Sequence, residues 1–459
     1  MNRTCSEILA ALARYRDDAG NPVAVFYGSR YIDDDGIVRA LVRNRNYIFY
    51  KAACVSDIEQ RIRMSFLPQL RQVSFSSVPS YADLFSAIRQ VTHEGERRIL
   101  IFRDFEHLFY EGGDFLKELI LFSQDPANAG RFATFLISDD SVWVENQLVA
   151  RAGEYASGIS GFIKKRESTF REYRESYPSL SLRDAISMYT VFGGETALWK
   201  YTDQNISARE NIIRLFLEDG AGGLGDLAMS RLSALVREPA VYATILANLA
   251  AGREKLGELH ESTGISRSKL SVYLATLMEP LFVEKVFSYG TVGTKETRKG
   301  VYRVANLFMR FYFRAIYPNE SMLFGTEPER FYDMYVAPAL TDLTSYSFRR
   351  ICTEHLNLMN EQGRLPFAIA EEGEWNGKAG IIDIVAQSEY GETLAGMCSF
   401  ANAMTQEDYH FLMTYAKRAG ISPDHVYMFS GAGFDSALEA AAPHVNGLRL
   451  IDFEELDIG

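Results

Sequence analysis

The stretch Val23-Ala24-Val25-Phe26-Tyr27-Gly28-Ser29-Arg30-Tyr31-Ile32-Asp33-Asp34-Asp35-Gly36 decides how the first third of the chain is read. An apolar β-type run ends at Gly28, and a helical pattern through Ile37, Val38 and Leu41 starts just after Gly36. Strand, turn and helix therefore follow in the order of a phosphate-binding loop. The chemistry is inverted. Counted from Gly28, the pattern G-x-x-x-x-G-K-[ST] puts its second glycine on Asp33, its lysine on Asp34 and its metal-binding hydroxyl on Asp35. Three carboxylates stand where a triphosphate needs a cation and bare amides, and at ~4 Å with an effective dielectric near 20 each like-charge contact costs about 4 kcal/mol. Ordinary ATP binding is not expected at this loop. Clustered carboxylates also suit calcium or magnesium, but an EF-hand loop needs acids at alternate positions and a closing glutamate, and this run has neither. The favoured reading is a helix cap, in which Asp side chains accept from first-turn amides and complement the helix dipole.

A chain of 459 residues that is 47% hydrophobic can fill several cores, and ~100–200 residues per domain implies three or four units. No apolar run approaches the ~18–20 residues that span a bilayer, and residues 1–13 read as a short amphipathic helix without a signal-peptide core. The expectation is a soluble cytoplasmic protein with no membrane partner. Cys5, Cys54, Cys352 and Cys398 are scattered without metal or disulfide spacing and read as buried free thiols, so no metal site is expected. The net charge of −12 argues against a protein that coats polyanions generally, while leaving room for a local basic face.

Apolar runs at 23–27, 47–50, 99–102 and 134–137 alternate with helix-period stretches at 58–66 and 82–91, the pattern of βαβ crossovers in a parallel sheet. Residues ~170–235 read as helices only. The order of Gly28-Ser29-Arg30, the strand 99–102 followed by Arg103-Asp104-Phe105-Glu106, the strand ending at Ser138, and Phe192-Gly193-Gly194 resembles the archaeal-type P-loop ATPases, AAA-related proteins of the STAND group. The resemblance continues through Arg237-Glu238-Pro239 and Tyr302-Arg303-Val304 to Phe308-Met309-Arg310-Phe311-Tyr312, and so covers nearly the whole chain. It implies an α/β architecture of four parts: a P-loop NTPase parallel-sheet core (1–165), a helical lid (166–236), a winged helix (237–320) and a C-terminal α/β restriction-endonuclease-like domain (321–459). It also implies ATP and magnesium as cofactors, with Gly28, Ser29, Arg30, Asp33, Asp34, Asp35 and Gly36 at the nucleotide loop.

The second nucleotide motif departs from the family as well. There a strand closes with an aspartate that holds magnesium, and an acid follows that polarises the attacking water. Here Arg103 stands at the aspartate and Asp104 at the acid; a one-residue shift would instead make Asp104 the metal ligand and Glu106 an acid two residues on. Asp104 and Glu106 are thus the catalytic candidates, against the plainer reading of a solvated strand-end loop. Ser138-Asp139-Asp140-Ser141 falls at the family's polar sensor and reads locally as a helix N-cap.

The module with intact chemistry is 240–305. Helical stretches at 241–249, 255–263 and 266–277, the last two joined by Gly264-Ile265, make a helix-turn-helix, and strands at 282–287 and 300–304 complete a wing. Between residues 240 and 320 eleven Lys and Arg stand against seven Asp and Glu. Arg267 and Lys269 on the third helix suit a DNA groove, and Lys295, Arg298 and Lys299 on the wing suit phosphates. A protein–protein or interdomain role is the equal alternative.

In the terminal part, Ile381–Ala386 and Leu394–Phe400 correspond to the strands on which nucleases of this fold carry Asp and Glu-x-Lys around magnesium. Asp383 is present, Met397 and Ser399 occupy the Glu and Lys positions, and Arg349 falls where an upstream helix offers a glutamate. Glu371, Glu372 and Glu374 supply either a substitute ligand or a solvated acidic loop. The seven histidines are isolated and no G-x-S-x-G elbow exists. The sequence therefore reads as an ATPase-family protein with lost catalytic chemistry, binding a DNA or protein partner. Two alternatives stay open: an active ATPase in which Arg30 or Lys51 takes over the phosphate charge, and a DNA-binding regulator.

Overall fold

Strands rich in Val, Ile, Phe and Ala on both faces must be covered twice, and they build the centre of a parallel sheet. The computed structural model of the protein describes residues 3–28, 35–112, 114–218, 223–291, 300–377 and 380–458. They form two compact units, one of residues 1–168 with 195–197, the other of 169–194 with 198–459.

In the first unit β1 (Val23–Tyr27), β2 (Asn46–Lys51), β3 (Arg98–Arg103), β4 (Phe132–Ser138) and β5 (Gly161–Lys164) make a sheet in the order β2-β3-β4-β1-β5, and its pairs are parallel. Helices α1 (Arg3–Arg16) and α2 (Asp35–Val42) cover one face, burying Ile8, Leu12, Ile37 and Leu41 against Phe26, Ile99, Ile101 and Phe135. Helices α3 (Asp57–Ser65), α4 (Tyr81–Gln90) and α5 (Phe115–Gln124) cover the other, with Phe85, Phe115 and Leu119 against Val25, Leu100, Phe102 and Leu136. A Ser80–Asp83 capping box fixes the start of α4. From β1 the chain runs to the β2 edge, works back through β3 and β4, and then crosses β1 to reach β5. The topological switch therefore falls at the C-terminal end of β1, where open α/β sheets receive ligands.

The second unit begins with helices that include Phe170–Ser176 and Leu182–Phe192. Three helices follow, Pro239–Ala250, Leu256–Thr263 and Arg267–Met278, the middle one closed by Gly264 at φ +71°. The antiparallel pair β6 (Val283–Val286) and β7 (Val301–Val304) comes next. Beyond the helix Ala337–Glu361 lies a five-stranded sheet of β8 (Glu371–Gly377), β9 (Gly380–Gln387), β10 (Thr393–Ser399), β11 (His425–Ser430) and β12 (Leu448–Ile451), in the order β12-β11-β10-β9-β8. The hairpins β8-β9 and β9-β10 are antiparallel, and the helix Gln406–Ala419 carries the crossover from β10 to its parallel neighbour β11.

Two sequence expectations are corrected here. Glu371, Glu372 and Glu374 lie on a strand rather than an acidic loop; β8 pairs with β9 through an irregularity between Gly373 and Trp375, and lacks the alternation that marks strands in sequence. Cys54 is exposed, whereas Cys352 is buried and Cys398 half-buried.

The β8 edge is covered. Tyr289 N–H donates to Glu374 O at 2.7 Å, and Asn376 N–H to Ser288 Oγ at 2.9 Å. Beneath this contact runs an alternating chain of charges. Arg303 on β7 meets Glu254 at 2.9 Å and Glu374 at 2.5 Å; Arg349 meets Glu374 at 3.1 Å and Asp383 at 2.7 Å. Burial opposes the Arg303 charge, yet the carboxylates of Glu374 and Glu254 raise its pKa; Glu374, likewise resisted by burial, is held below the usual carboxylate range by Arg303 and Arg349. Removing the central carboxylate leaves Arg303 with Glu254 alone and Arg349 with Asp383 alone, each a shielded guanidinium that has lost one of its two partners. Glu374→Gln is expected to lower the stability of this unit by about 3 kcal/mol in denaturant titration, the usual cost of breaking a buried pair on one side; a loss under ~0.5 kcal/mol would show the chain of charges to be dispensable.

Candidate functional site

The C-terminal ends of β1, β3, β4 and β5 converge at the switch point. Gly28 follows β1 at φ +155°, and its N–H donates to Ser138 O at 3.2 Å. Lys165, just past β5, donates its N–H to Tyr27 O at 2.6 Å and lies so close that a Cβ on residue 28 would stand 2.5 Å from Lys165 Cβ. Glycine is required by that approach. Gly36, by contrast, has open space where a side chain would go.

The Lys165 side chain is fully buried, with its ammonium 5.5 Å from the Phe26 ring centroid and 2.5 Å from Asp139 Oδ1. Asp139 Oδ2 is also 3.7 Å from Arg103 Nη2, and Arg103 Nη1 donates to Asp35 Oδ1 at 2.9 Å. Lys165, Asp139, Arg103 and Asp35 thus alternate in sign, and their formal charges cancel. The Arg103 side chain is 17% exposed while Asp35, in the first turn of α2, is 61% exposed. The inner part of the cluster is accordingly the better shielded and the stronger.

The two catalytic candidates point to different surroundings. Asp104, at φ +55°, reaches Lys51 at 3.5 Å. Glu106 is half-buried beside Ser138, and burial above all pushes its pKa up to about 7, with Asp104 and Asp140 adding to the rise and the Ser138 hydroxyl opposing it. Among the described residues its Oε2 has no hydrogen-bond partner. The cap expected within 138–141 is Asp140, whose Oδ1 accepts from Trp143 N–H at 2.8 Å. Of the predicted loop positions, Ser29, Arg30, Asp33 and Asp34 lie outside the described residues, as do Lys295, Arg298 and Lys299. Sequence reasoning had not joined Asp35 to Arg103, nor noticed Lys165 and Asp139 as a pair. The available signal was that both motif positions reverse sign together.

In the second unit Arg267 and Lys269 are exposed on the helix Arg267–Met278, whose Leu270, Leu274 and Leu277 are buried. Ser268, Ser271, Val272 and Ala275 share the exposed surface. Asp383 spends both oxygens within the protein, one on Arg349 and the other on Cys398 N–H at 2.8 Å. Met397 faces Asp383's strand from β10, and the Ser399 hydroxyl donates to Asn402 O at 2.7 Å. Among the described residues no group of three or more His, Cys, Asp or Glu is arranged to hold a metal ion. Among them, too, no helix is long and apolar enough to cross a membrane.

Residues 312–410 match a family described as archaea bacterial proteins of unknown function (DUF234). The chain is 24% identical over 396 residues to an uncharacterized protein of Methanocaldococcus jannaschii, covering 83% of each. Among solved structures it is similar to a Walker-type ATPase of Pyrococcus abyssi, with 12% identity, a TM-score of 0.48, and coverage of 67% of this chain and 95% of that one. The Aeropyrum pernix ORC1 protein, solved in complex with DNA, matches at 12% identity and a TM-score of 0.34, over 68% of this chain and 92% of that one. A STAND protein with a tetratricopeptide repeat sensor from Pyrococcus horikoshii matches at 14% identity and a TM-score of 0.28, over 77% and 51%.

Glu106 offers a pH test of the site. Its folded pKa of about 7 lies above the ordinary 4.5, so the folded state holds a proton that the unfolded chain has released, and stability falls as pH rises from 4.5 to 7. Glu106→Gln is expected to be more stable than the native chain by about 3 kcal/mol at pH 8 and to lose that advantage at pH 4.5. Paired urea titrations check it, and an advantage independent of pH would remove burial as the cause.

Proposed function

We propose that the first unit is an ATPase-family core in which the protein's own ion pairs fill the phosphate and metal positions, so that it does not hydrolyse ATP. On this reading the chain is a non-catalytic or regulatory member of that family and engages a macromolecular partner through its second unit. The observation that carries the proposal is the 2.9 Å contact between Arg103 and Asp35. In a working site a strand-end carboxylate and a loop hydroxyl share a magnesium ion. Here the motif alignment puts Arg103 at the first and Asp35 at the second, and the two satisfy each other. Magnesium would meet a guanidinium, and a triphosphate would meet Asp35 and Asp139 after displacing their cations, at about 4 kcal/mol for each like-charge contact. The residues present do not fit either group. The competing reading of an active ATPase needs Lys51 or Arg30 at the phosphates, and Lys51 is beside Asp104.

The terminal domain is consistent with the same loss. In a restriction-endonuclease-like domain with Met397 and Ser399 in place of the other catalytic groups, Asp383 is already engaged by Arg349 and the Cys398 N–H rather than held open for a metal.

A second reading, a winged-helix DNA-binding regulator, is favoured by the helix Arg267–Met278. Its exposed surface carries Arg267, Ser268, Lys269, Ser271, Val272 and Ala275 with no acid until Glu279, a mixture of phosphate contacts, hydrogen-bond donors and apolar groups suited to a major groove.

Calorimetry tests the first proposal: no heat is expected at millimolar ATP with magnesium, whereas saturable micromolar binding that Arg103→Ala abolishes would overturn it. For the second, Arg267→Ala with Lys269→Ala should weaken duplex DNA binding about 10-fold and flatten its salt slope by about 2. Indifference to both substitutions would move the partner elsewhere.

A further inference from the structure

The most basic stretch of the first unit is not part of the crevice. From Gly36 to Ser56 the chain contains Arg39, Arg43, Arg45 and Lys51 and no Asp or Glu, in a protein whose net charge is −12. All four cations are exposed. Arg45 is 3.5 Å from Asp17 and Lys51 3.5 Å from Asp104, pairs that are open to solvent and weak. Among the described residues Arg39 and Arg43 have no ion-pair partner.

Fold topology gathers these charges beside two aromatic rings. Strand β2 is an edge, so one of its faces continues the packed sheet while the other runs past the cover of α1 and α2. Ile48 and Tyr50 are buried, and Tyr47 and Phe49, which share the face of Ile99 and Ile101 on β3, are 45% and 37% exposed. A three-residue connection, Arg43-Asn44-Arg45, turns α2 back into β2, so exposed Arg39 on the helix and exposed Arg43 and Arg45 in the connection lead directly into the strand that carries the rings. Strand addition by a peptide is disfavoured at this edge because the Gln69 side chain donates to the Tyr47 carbonyl at 3.4 Å. The rings themselves remain open.

We infer that this face binds single-stranded nucleic acid, with bases stacking on Tyr47 and Phe49 and Arg39, Arg43, Arg45 and Lys51 tracking the phosphates. Two rings at i and i+2 on one strand stand about 6.6 Å apart along it, a platform for successive unpaired bases. A duplex hides its base faces and gains nothing from the rings. Apart from Lys51, which lies at the crevice end of β2, the inference concerns residues outside the crevice and outside the helix Arg267–Met278.

The test uses the full chain carrying Arg267→Ala, Lys269→Ala, Lys295→Ala, Arg298→Ala and Lys299→Ala, which removes the cations of the other DNA surface, with a fluorescein-labelled 20-nucleotide oligo-dT followed by anisotropy. Saturable binding is expected, with log K falling against log salt at a slope of about −2.8 for four neutralised phosphates at ~0.7 each. Tyr47→Ala with Phe49→Ala should lower affinity at least 10-fold and keep the slope, whereas Arg39→Ala with Arg43→Ala should make it shallower by about 1.4. Circular dichroism of both variants should match the parent, and Arg39→Ala with Arg43→Ala should also melt with it, whereas loss of the two partly covered rings lowers the melting temperature without unfolding the chain at the assay temperature. The inference falls if the parent does not bind at 50 mM salt, if neither pair of substitutions changes binding, or if duplex DNA or phosphatidylserine vesicles compete more strongly than unlabelled oligo-dT.

Discussion

A charge shielded from water has to be paired, and the first unit is organised around one such requirement at the C-terminal ends of its parallel strands. Lys165 is fully buried, and Arg103 is half-buried. Each is placed by the strand before it, and each needs a carboxylate within reach. Asp139, at the end of β4, lies between them, and Asp35 reaches Arg103 from the first turn of α2. The close approach of Gly28 to Lys165 brings β1 and β5 together at the same point. The cluster ties the exits of four strands and the start of one helix, so the geometry of the crevice follows from its electrostatic closure.

The same requirement organises the second unit by a different route. Glu254, Arg303, Glu374, Arg349 and Asp383 come from a loop, the β6-β7 hairpin, the edge strand β8, the long helix and β9. Their alternation holds a short hairpin against a five-stranded sheet, beside the apolar contact that Tyr289 makes with the core of that sheet. Buried ion pairs of this kind add little net stability over a well-packed apolar core, but they tolerate no missing partner, and so they specify one arrangement of the elements. In the first unit Asp35, at the motif's hydroxyl position, and in the second unit Asp383 are each paired with an arginine.

Much of the fold was legible because the central strands are buried on both faces. The runs at 23–27, 99–102 and 134–137 read as β-structure from composition alone, and the helical periods between them gave the parallel crossovers. β5 and β8 were not legible. The first has four residues at the second edge of its sheet, and the second is Glu-Glu-Gly-Glu-Trp-Asn-Gly, in which no alternation survives because its neighbour, rather than its own pattern, holds it. The acidic loop expected at 371–374 is the visible result. At the candidate site, the reversal of charge at Asp35 and at Arg103 was readable separately, and the contact between them was not, since they are 68 positions apart in the chain. Glu106 was visible as a candidate, but its raised pKa depends on burial that no local pattern encodes.

The sequence by itself determined the alternation of strands and helices in the first unit, the helical character of the segment that follows, the basic balance of residues 240–320 and the absence of the usual phosphate-loop lysine. These are local properties, carried by hydrophobic period, turn residues and side-chain charge. The tertiary structure alone decided that Asp35, Arg103, Asp139 and Lys165 neutralise one another, that Glu374 bridges two arginines, and that Tyr47 and Phe49 stand uncovered beside four cations. Each of these depends on which strand lies next to which and on how much water reaches the groups between them, and both are set by the packing of segments far apart in the chain.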